Sequence, residues 1–447
     1  MVVEANNPDK QLWTWSALCT ALGLRVEAGP DVRRIHIDSR STEPGDLFIA
    51  LPGDPGPRFN PSYRSDNDGH DYLEDAWEQG AVGALVHRDC WGGMRTLRIN
   101  DTYDGLWRLG EAAQQRMAGV RFAITGSSGK TTAKSFLTTA LNGYTSPANF
   151  NNHIGVPLSL ANMPADATWG IFEIGTNHPG EIEPLAKLVR PEFALVLNVG
   201  SAHIENFTSA DDLYKEKVSI LNGLANKDNL VWEESLGLDC GHAFGTSSHA
   251  AVRLMSCEGD RARIQVFGKP VTARVPGGGT HRALTLTAVL ALISLAGDDL
   301  SAATDLPPTL IPPGRGNEIL VNGVTLVDDS YNANPASMLA AIEDLTKRTD
   351  SRRIAILGEM LELGEASSSA HETVIAKAGD LDGLICVGQG FADAARDAGL
   401  RHFDEADAAL AEHLQQICHS GDRLLIKGSN RVFWQAGFTA RLAELLA

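Results

Sequence analysis

The stretch RFAITGSSGKTT, residues 121–132, decides the fold. Its apolar run at 122–124 reads as a buried strand. The run breaks at Gly126, passes through Ser127 and Ser128 to Gly129, and meets Lys130, Thr131 and Thr132. The next residues, AKSFLTTAL, place Ala133, Phe136, Leu137, Ala140 and Leu141 on one helical face. A strand, a glycine-rich turn and a helix N-terminus make an anion cradle. Backbone N–H groups and the helix dipole face the ligand, and a lysine adds a point charge. The Thr131 hydroxyl suits Mg²⁺. A complete P-loop pattern also has a glycine where Ile124 stands. An ordinary strand-to-helix turn would share the glycines. GKTT between a strand and a helix favours nucleotide binding.

Short apolar runs alternate with helical segments on both sides of this stretch. They fall at 122–125, 171–174 and 193–199, and again at 325–327, 354–357, 384–387 and 424–426. That alternation predicts parallel sheets covered by helices, an α/β fold. Polar residues close several runs: Glu173, Asn198, Asp328 with Asp329, Glu359 and Lys427. Ligands of open parallel sheets bind at the carboxyl ends of strands, so two facing sites are expected. A proline-rich connector, PPTLIPPGRG at 307–316, separates them.

The chain has 447 residues, enough for about three domains. Its net charge of −18 argues against non-specific nucleic-acid binding and against anionic membranes. No uncharged apolar run approaches the ~20 residues of a membrane span. The start, MVVEANNPDKQ, lacks a basic-then-apolar signal layout. Six dispersed cysteines without a CxxC read as reduced core thiols of a cytoplasmic protein.

Glu173 is a carboxylate inside an apolar run, which requires a cation or hydrogen-bond partners. In a P-loop domain such an acid holds Mg²⁺. His203 follows a strand by a few residues, as a loop histidine also would. Lys215 and Lys217 sit on a helix, where two lysines are most simply a solvated face.

Taken together, TGSSGKTT (125–132), NFNNHIGVP (149–157), EIGTNHPGEI (173–182), NVGSAH (198–203) and KEKVSIL (215–221) resemble the ATPase domain of the Mur ligases. DDSYNANP (328–335) and GEMLELG (358–364) resemble the branch of that family that uses D-alanyl-D-alanine. DSR (38–40), PGDLFIALPG (44–53) and DGH (68–70) resemble its UDP-substrate region. The resemblance implies three domains. A small N-terminal α/β domain, 1–108, would bind the UDP substrate through Ser39 and Arg40. A central P-loop parallel-sheet ATPase domain would span 109–312. A C-terminal Rossmann-like domain, 313–447, would bind the amine.

The same resemblance implies an ATP-dependent ligase joining D-alanyl-D-alanine to UDP-N-acetylmuramoyl-tripeptide through an acyl phosphate, acting as a monomer. Gly126, Ser127, Ser128, Gly129, Lys130, Thr131 and Thr132 would cradle the phosphates. Thr131, Glu173 and His203 would serve two Mg²⁺ ions, and Lys217, with Lys215 as runner-up, would be carbamylated. Arg315 and Asp329 would reach ATP from the C-terminal domain. Asn151, Asn152, Asn332, Asn334 and Glu359 would contact substrates. Domain closure on ATP is expected, with Arg315 well away from Lys130 before it.

Two departures stand out. The family's HNxxNA, whose asparagine reads adenine, is here HRALTL, with Thr285 in the asparagine's place. Its KGSR is KGSN at 427–430, with Arg431 one place later. Another Mur-type or folylpolyglutamate-type ligase is the nearest alternative. A small-molecule P-loop kinase is the alternative from another class, separable by amine-dependent ADP release.

Overall fold

A computed structural model of the chain describes residues 11–55, 65–89, 92–147, 150–200 and 204–447. Three sheets follow one another along it. The first has four parallel strands in chain order: Ile35–His36, Leu47–Ile49, Gly83–Val86 and Thr96–Arg98. Leu47–Ile49 and Gly83–Val86 are buried throughout, as parallel strands covered on both faces must be. The helix Thr102–Arg116 leads out of this sheet, its N-terminus capped by Asp101. It runs past residue 108 unbroken and packs on the helix Gly155–Ala161 of the next unit. The Trp13 indole donates to the Ala161 carbonyl at 2.8 Å, and the Asn162 amide bonds both backbone groups of Ile35.

The second sheet has nine strands. Its parallel part runs in space as Tyr144–Thr145, Trp169–Glu173, Val120–Thr125, Phe193–Val196, Leu230–Glu233, His242–Gly245 and Val252–Glu258. Arg261–Val266 and Lys269–Arg274 then continue it antiparallel. The parallel sheet read from sequence is present and carries an antiparallel extension of two strands. The reason is visible in the strand Arg261–Val266: Ala262, Ile264 and Val266 are buried and the residues between them exposed. One solvated face suits an antiparallel edge.

The strand Val120–Thr125 sits between Trp169–Glu173 and Phe193–Val196, and Glu173 lies in register with Ile124. This puts the Glu173 carboxylate beside the start of the glycine turn. The helix Lys130–Leu141 buries Ala133, Phe136, Leu137 and Leu141. It packs against the helix Thr280–Leu295, apolar along most of its length. Each such large side chain contributes about 1.5–3 kcal/mol through burial, so the loop is carried on a rigid support.

The third sheet has six strands, in the order Asn317–Val321, Val324–Asp329, Arg423–Lys427, Arg353–Gly358, Gly383–Val387 and Arg401–Phe403. All pairs but the first are parallel. Asp329 pairs in register with Lys427, and Glu359 follows the neighbouring strand, so these groups share one edge.

Among the described residues Cys19 and Cys386 are buried, while Cys240, Cys257 and Cys418 are only partly so; all five are free. Cys90 lies outside the described residues. No described helix is long and apolar enough to cross a membrane.

Candidate active site

Gly129 is the N-cap of the helix Lys130–Leu141, with φ 79° and no side-chain cap. An added Cβ would meet the Thr285 hydroxyl at 3.5 Å on a backbone that L residues rarely adopt. The first-turn N–H groups, those of Lys130, Thr131 and Thr132, open toward the loop. The loop is held from the strand Phe193–Val196. Asn198 Oδ1 accepts from the N–H groups of Ser127 at 3.0 Å and Ser128 at 2.9 Å. Lys130 Nζ donates to the Gly126 carbonyl at 2.7 Å. Asn198, read from sequence only as a strand-end polar residue, is the clamp of this loop.

Glu173 has the partners its burial demands. Oε2 accepts from the Thr131 hydroxyl at 3.0 Å, and Oε1 from the Asn151 amide at 2.9 Å. Lys134 Nζ lies 3.8 Å from Oε2 and also donates to the Ser146 carbonyl at 3.0 Å. Hard oxygen donors from Thr131 and Glu173 converge on one point, a set that fits Mg²⁺. Lys134 was missed in the sequence reading, where one more lysine on the P-loop helix carries no signal. Asn152 turns elsewhere, accepting from the N–H groups of Ile154 and Gly155 at 3.1 and 2.8 Å ahead of the helix Gly155–Ala161.

The helix Ala210–Val218 separates its two lysines. Lys215 is exposed and pairs with Asp211 at 2.5 Å, one turn away. Lys217 is 1% exposed. Burial, with the Lys130 charge adding to it, brings its pKa down to about 7. The Glu216 carboxylate fixes this orientation, accepting from the N–H groups of Gly180, Glu181 and Ile182 at 2.8–3.0 Å. The plain reading of two solvated lysines is therefore corrected for Lys217. His203 lies outside the described residues.

The C-terminal face carries Arg315, Asp329, Asn332, Asn334 and Glu359. The Arg315 guanidinium lies over the Tyr331 ring, 4.4 Å from its centre, and Tyr331 stacks edge-on against Trp434 at 5.4 Å. Asp329 pairs with the buried Lys427 at 2.8 Å, and Lys427 also donates to the Asn332 carbonyl. Asn334 caps the helix Pro335–Thr346, accepting from Ser337 N–H at 2.9 Å. Glu359 accepts from Gly390 N–H at 2.7 Å. Beneath that loop the buried His371 accepts from Met360 N–H at 3.0 Å. Ser39 and Arg40 lie on the short turn Ser39–Ser41 of the first sheet unit, with Arg40 paired to Asp38. Their hydrogen bonds stay within that turn, away from the P-loop.

The two faces act on each other. Burial lowers the pKa values of Lys130 and Lys134, and the Arg315 charge lowers both further, against the pull of Glu173. Burial raises that of Tyr331; the Arg315 charge works against this, and Glu173 adds to it. The charge of Arg315, on the C-terminal domain, is thus felt at the P-loop lysines. Contacts across the joint explain it: His281 Nδ1 meets Asp344 Oδ2 at 2.8 Å, and Arg282 donates to the Arg315 carbonyl at 3.0 Å. Beside the joint is a cavity of about 380 Å³, whose walls include Thr280, Arg282, Gly316, Asp329 and Asp344.

Comparison with known proteins agrees with this architecture. Residues 124–255 match the Mur ligase middle domain, and residues 314–430 the Mur ligase glutamate ligase domain. The chain is 32% identical over 420 residues to an Escherichia coli (strain K12) protein, covering 88% of this chain and 90% of that one. It is 30% identical over 388 residues to a Rickettsia prowazekii (strain Madrid E) protein, covering 81% and 84%. Both relatives are named UDP-N-acetylmuramoyl-tripeptide--D-alanyl-D-alanine ligase. The crystal structure of MurF from Acinetobacter baumannii superposes with a TM-score of 0.82 at 27% identity, over 97% of this chain and 99% of that one. MurF from Thermotoga maritima in complex with ADP gives 0.78 at 27% identity, over 93% and 99%. The chain belongs to the Mur ligase family.

Proposed function

We propose that the chain is an ATP-dependent ligase that joins D-alanyl-D-alanine to the terminal carboxylate of UDP-N-acetylmuramoyl-tripeptide in peptidoglycan precursor synthesis, in the cytoplasm. One observation carries the mechanism. Lys130, on the helix whose Thr131 hydroxyl bonds Glu173, feels the charge of Arg315 from the C-terminal domain. Phosphoryl transfer needs positioned positive charge more than covalent help from the protein.

In this reading a carboxylate oxygen of the tripeptide attacks the γ-phosphorus of ATP, and ADP leaves with the β–γ bridging oxygen. The amine of the dipeptide then attacks the acyl carbon. Inorganic phosphate departs, and the amine proton is lost as the amide forms. Lys130 and the loop N–H groups hold the phosphates, and Arg315 meets the charge spread over the transferring group. Mg²⁺, held by Thr131 and Glu173 with a second ion near His203, would neutralise phosphate charge. Lys217, as a carbamate, would turn a repelled ammonium into an anion beside the metals. The neighbouring cavity with Asp329 on its wall receives the nucleoside. Ser39 and Arg40 contact the UDP part, and Asn332, Asn334 and Glu359 border the dipeptide.

The test is purified protein with ATP, Mg²⁺, UDP-N-acetylmuramoyl-tripeptide and D-alanyl-D-alanine, read by product mass and ADP release. ADP release that needs the dipeptide, with a product of the summed mass less water, is the expected result. ADP release indifferent to amine indicates a kinase, and turnover with a single amino acid a different ligase.

A further inference from the structure

Arg282 occupies the first asparagine position of the HNxxNA pattern, and here its guanidinium donates to backbone carbonyls. Burial pulls its pKa below the ordinary arginine range. Nη1 donates to the carbonyls of Gly277 at 3.1 Å and Gly278 at 3.2 Å. Nη2 donates to the carbonyl of Arg315 at 3.0 Å. The first two carbonyls belong to the glycine turn that opens the helix Thr280–Leu295. The third belongs to the connector, past its last proline. A planar guanidinium with fixed donors can hold both sides at once, which a single ammonium cannot. The joint is built around this group: a Cβ on Gly316 would stand 2.0 Å from Nη2.

The Arg315 side chain leaves this joint in the other direction. It lies on the Tyr331 ring and lowers the pKa values of Lys130 and Lys134 by its charge. Arg282 therefore holds the backbone of the residue whose guanidinium charge is felt at the P-loop lysines. We propose that Arg282 is a positioning residue for the ligation. It fixes Arg315 against the central domain and so sets where the Arg315 guanidinium meets the transferring phosphoryl group. This rests on the role given to Arg315 above. Misplacing a group by about 1 Å can cost on the order of 10²-fold in rate, so a lost tether is visible in kcat.

A double-mutant cycle tests it, with Arg282→Met, Arg315→Lys and the pair, read as kcat, KM for ATP, KM for dipeptide and melting temperature. Arg282→Met is expected to lower kcat about tenfold while KM for dipeptide stays within about twofold. Added to Arg315→Lys, it should cost less than about twofold more, because residues acting through one another are not additive. A kcat for Arg282→Met equal to the parent, or losses that multiply in the double variant, overturns the proposal. If Arg282→Met does not fold, Arg282→Lys enters the same cycle. It keeps the charge but reaches one side of the joint only, and the same non-additivity is required of it. Full activity in Arg315→Ala removes the reading of Arg315 itself. An inactive Arg315→Ala beside a fully active Arg282→Met removes only the tether.

Discussion

On the central-domain side of the site, Lys130, Lys134 and Lys217 all feel one carboxylate, Glu173, and all three are drawn below the ordinary lysine pKa. On the C-terminal side Asp329 is matched by Lys427, Glu359 by Gly390 N–H, and Asn334 by the helix it caps. The first face holds three lysines whose charged forms burial disfavours and an anionic ligand would favour. The second is settled within itself and offers shape, backbone and one projecting arginine. Buried charge out of balance marks where the phosphates go. Buried charge in balance marks the scaffold that meets them. Substitutions on the two faces should therefore differ in kind, the first acting on rate and the second on stability.

The largest effect is expected from Lys130→Ala, with kcat down by on the order of 10²–10³ and the fold intact. A folded Lys130→Ala protein with near-normal kcat would place the phosphates elsewhere and erase the contrast.

Lys217 sharpens it further. With a pKa of about 7, its amine is protonated below that pH and free above it. Only the free amine can take up CO₂, so activity should rise as pH climbs through about 7 and fall away below. Incubation with ¹³C-bicarbonate should give a carbamate carbon signal that Lys217→Ala lacks. The variant should lose at least about tenfold in kcat, a fraction of the loss of a transition-state cation, and regain part of it with short-chain carboxylic acids. No signal, together with a flat pH profile, would leave the lysine an unmodified buried amine.

On the opposite face, Asn334→Ala should destabilise the protein by about 1 kcal/mol, the usual worth of a lost N-cap, seen as a lower denaturation midpoint. A stability unchanged while KM for the dipeptide rises several-fold would show that Asn334 is held for substrate rather than for the helix. The smallest effect belongs to Lys215→Met. Its exposed pair with Asp211 adds little stability, and kcat should match the parent. Loss of activity there would reverse the assignment of the two lysines.

Much of the fold was legible because parallel sheets write themselves as apolar runs. The runs at 122–125, 354–357 and 424–426 fall within observed strands. The antiparallel strands Arg261–Val266 and Lys269–Arg274 were not read, since half their residues face water and no run forms. In the site, Glu173 could be read because a carboxylate among apolar neighbours needs an explanation. Lys134 and Arg282 could not, because what sets them apart is the partner they reach, Glu173 in one case and the Arg315 carbonyl in the other. Lys217 needed the turn of its helix, which Glu216 fixes through three N–H groups of a distant segment. The roles of Ser39 and Arg40 rest on motif resemblance, since their contacts in the fold are local, and so does that of Asn332, whose carbonyl is taken up by Lys427.

The mixed edge of the central sheet has a consequence for the behaviour of many copies of the chain together. Its outermost strand, Lys269–Arg274, begins with an exposed lysine and a proline and ends with an arginine. A proline cannot donate to a further strand, and lysine on an edge repels a second copy. The extension thus closes a long ladder that would otherwise present open backbone to its neighbours. Replacing Lys269 and Pro270 by valines would leave the ligand site untouched and turn that margin into a seam along which chains assemble at high concentration.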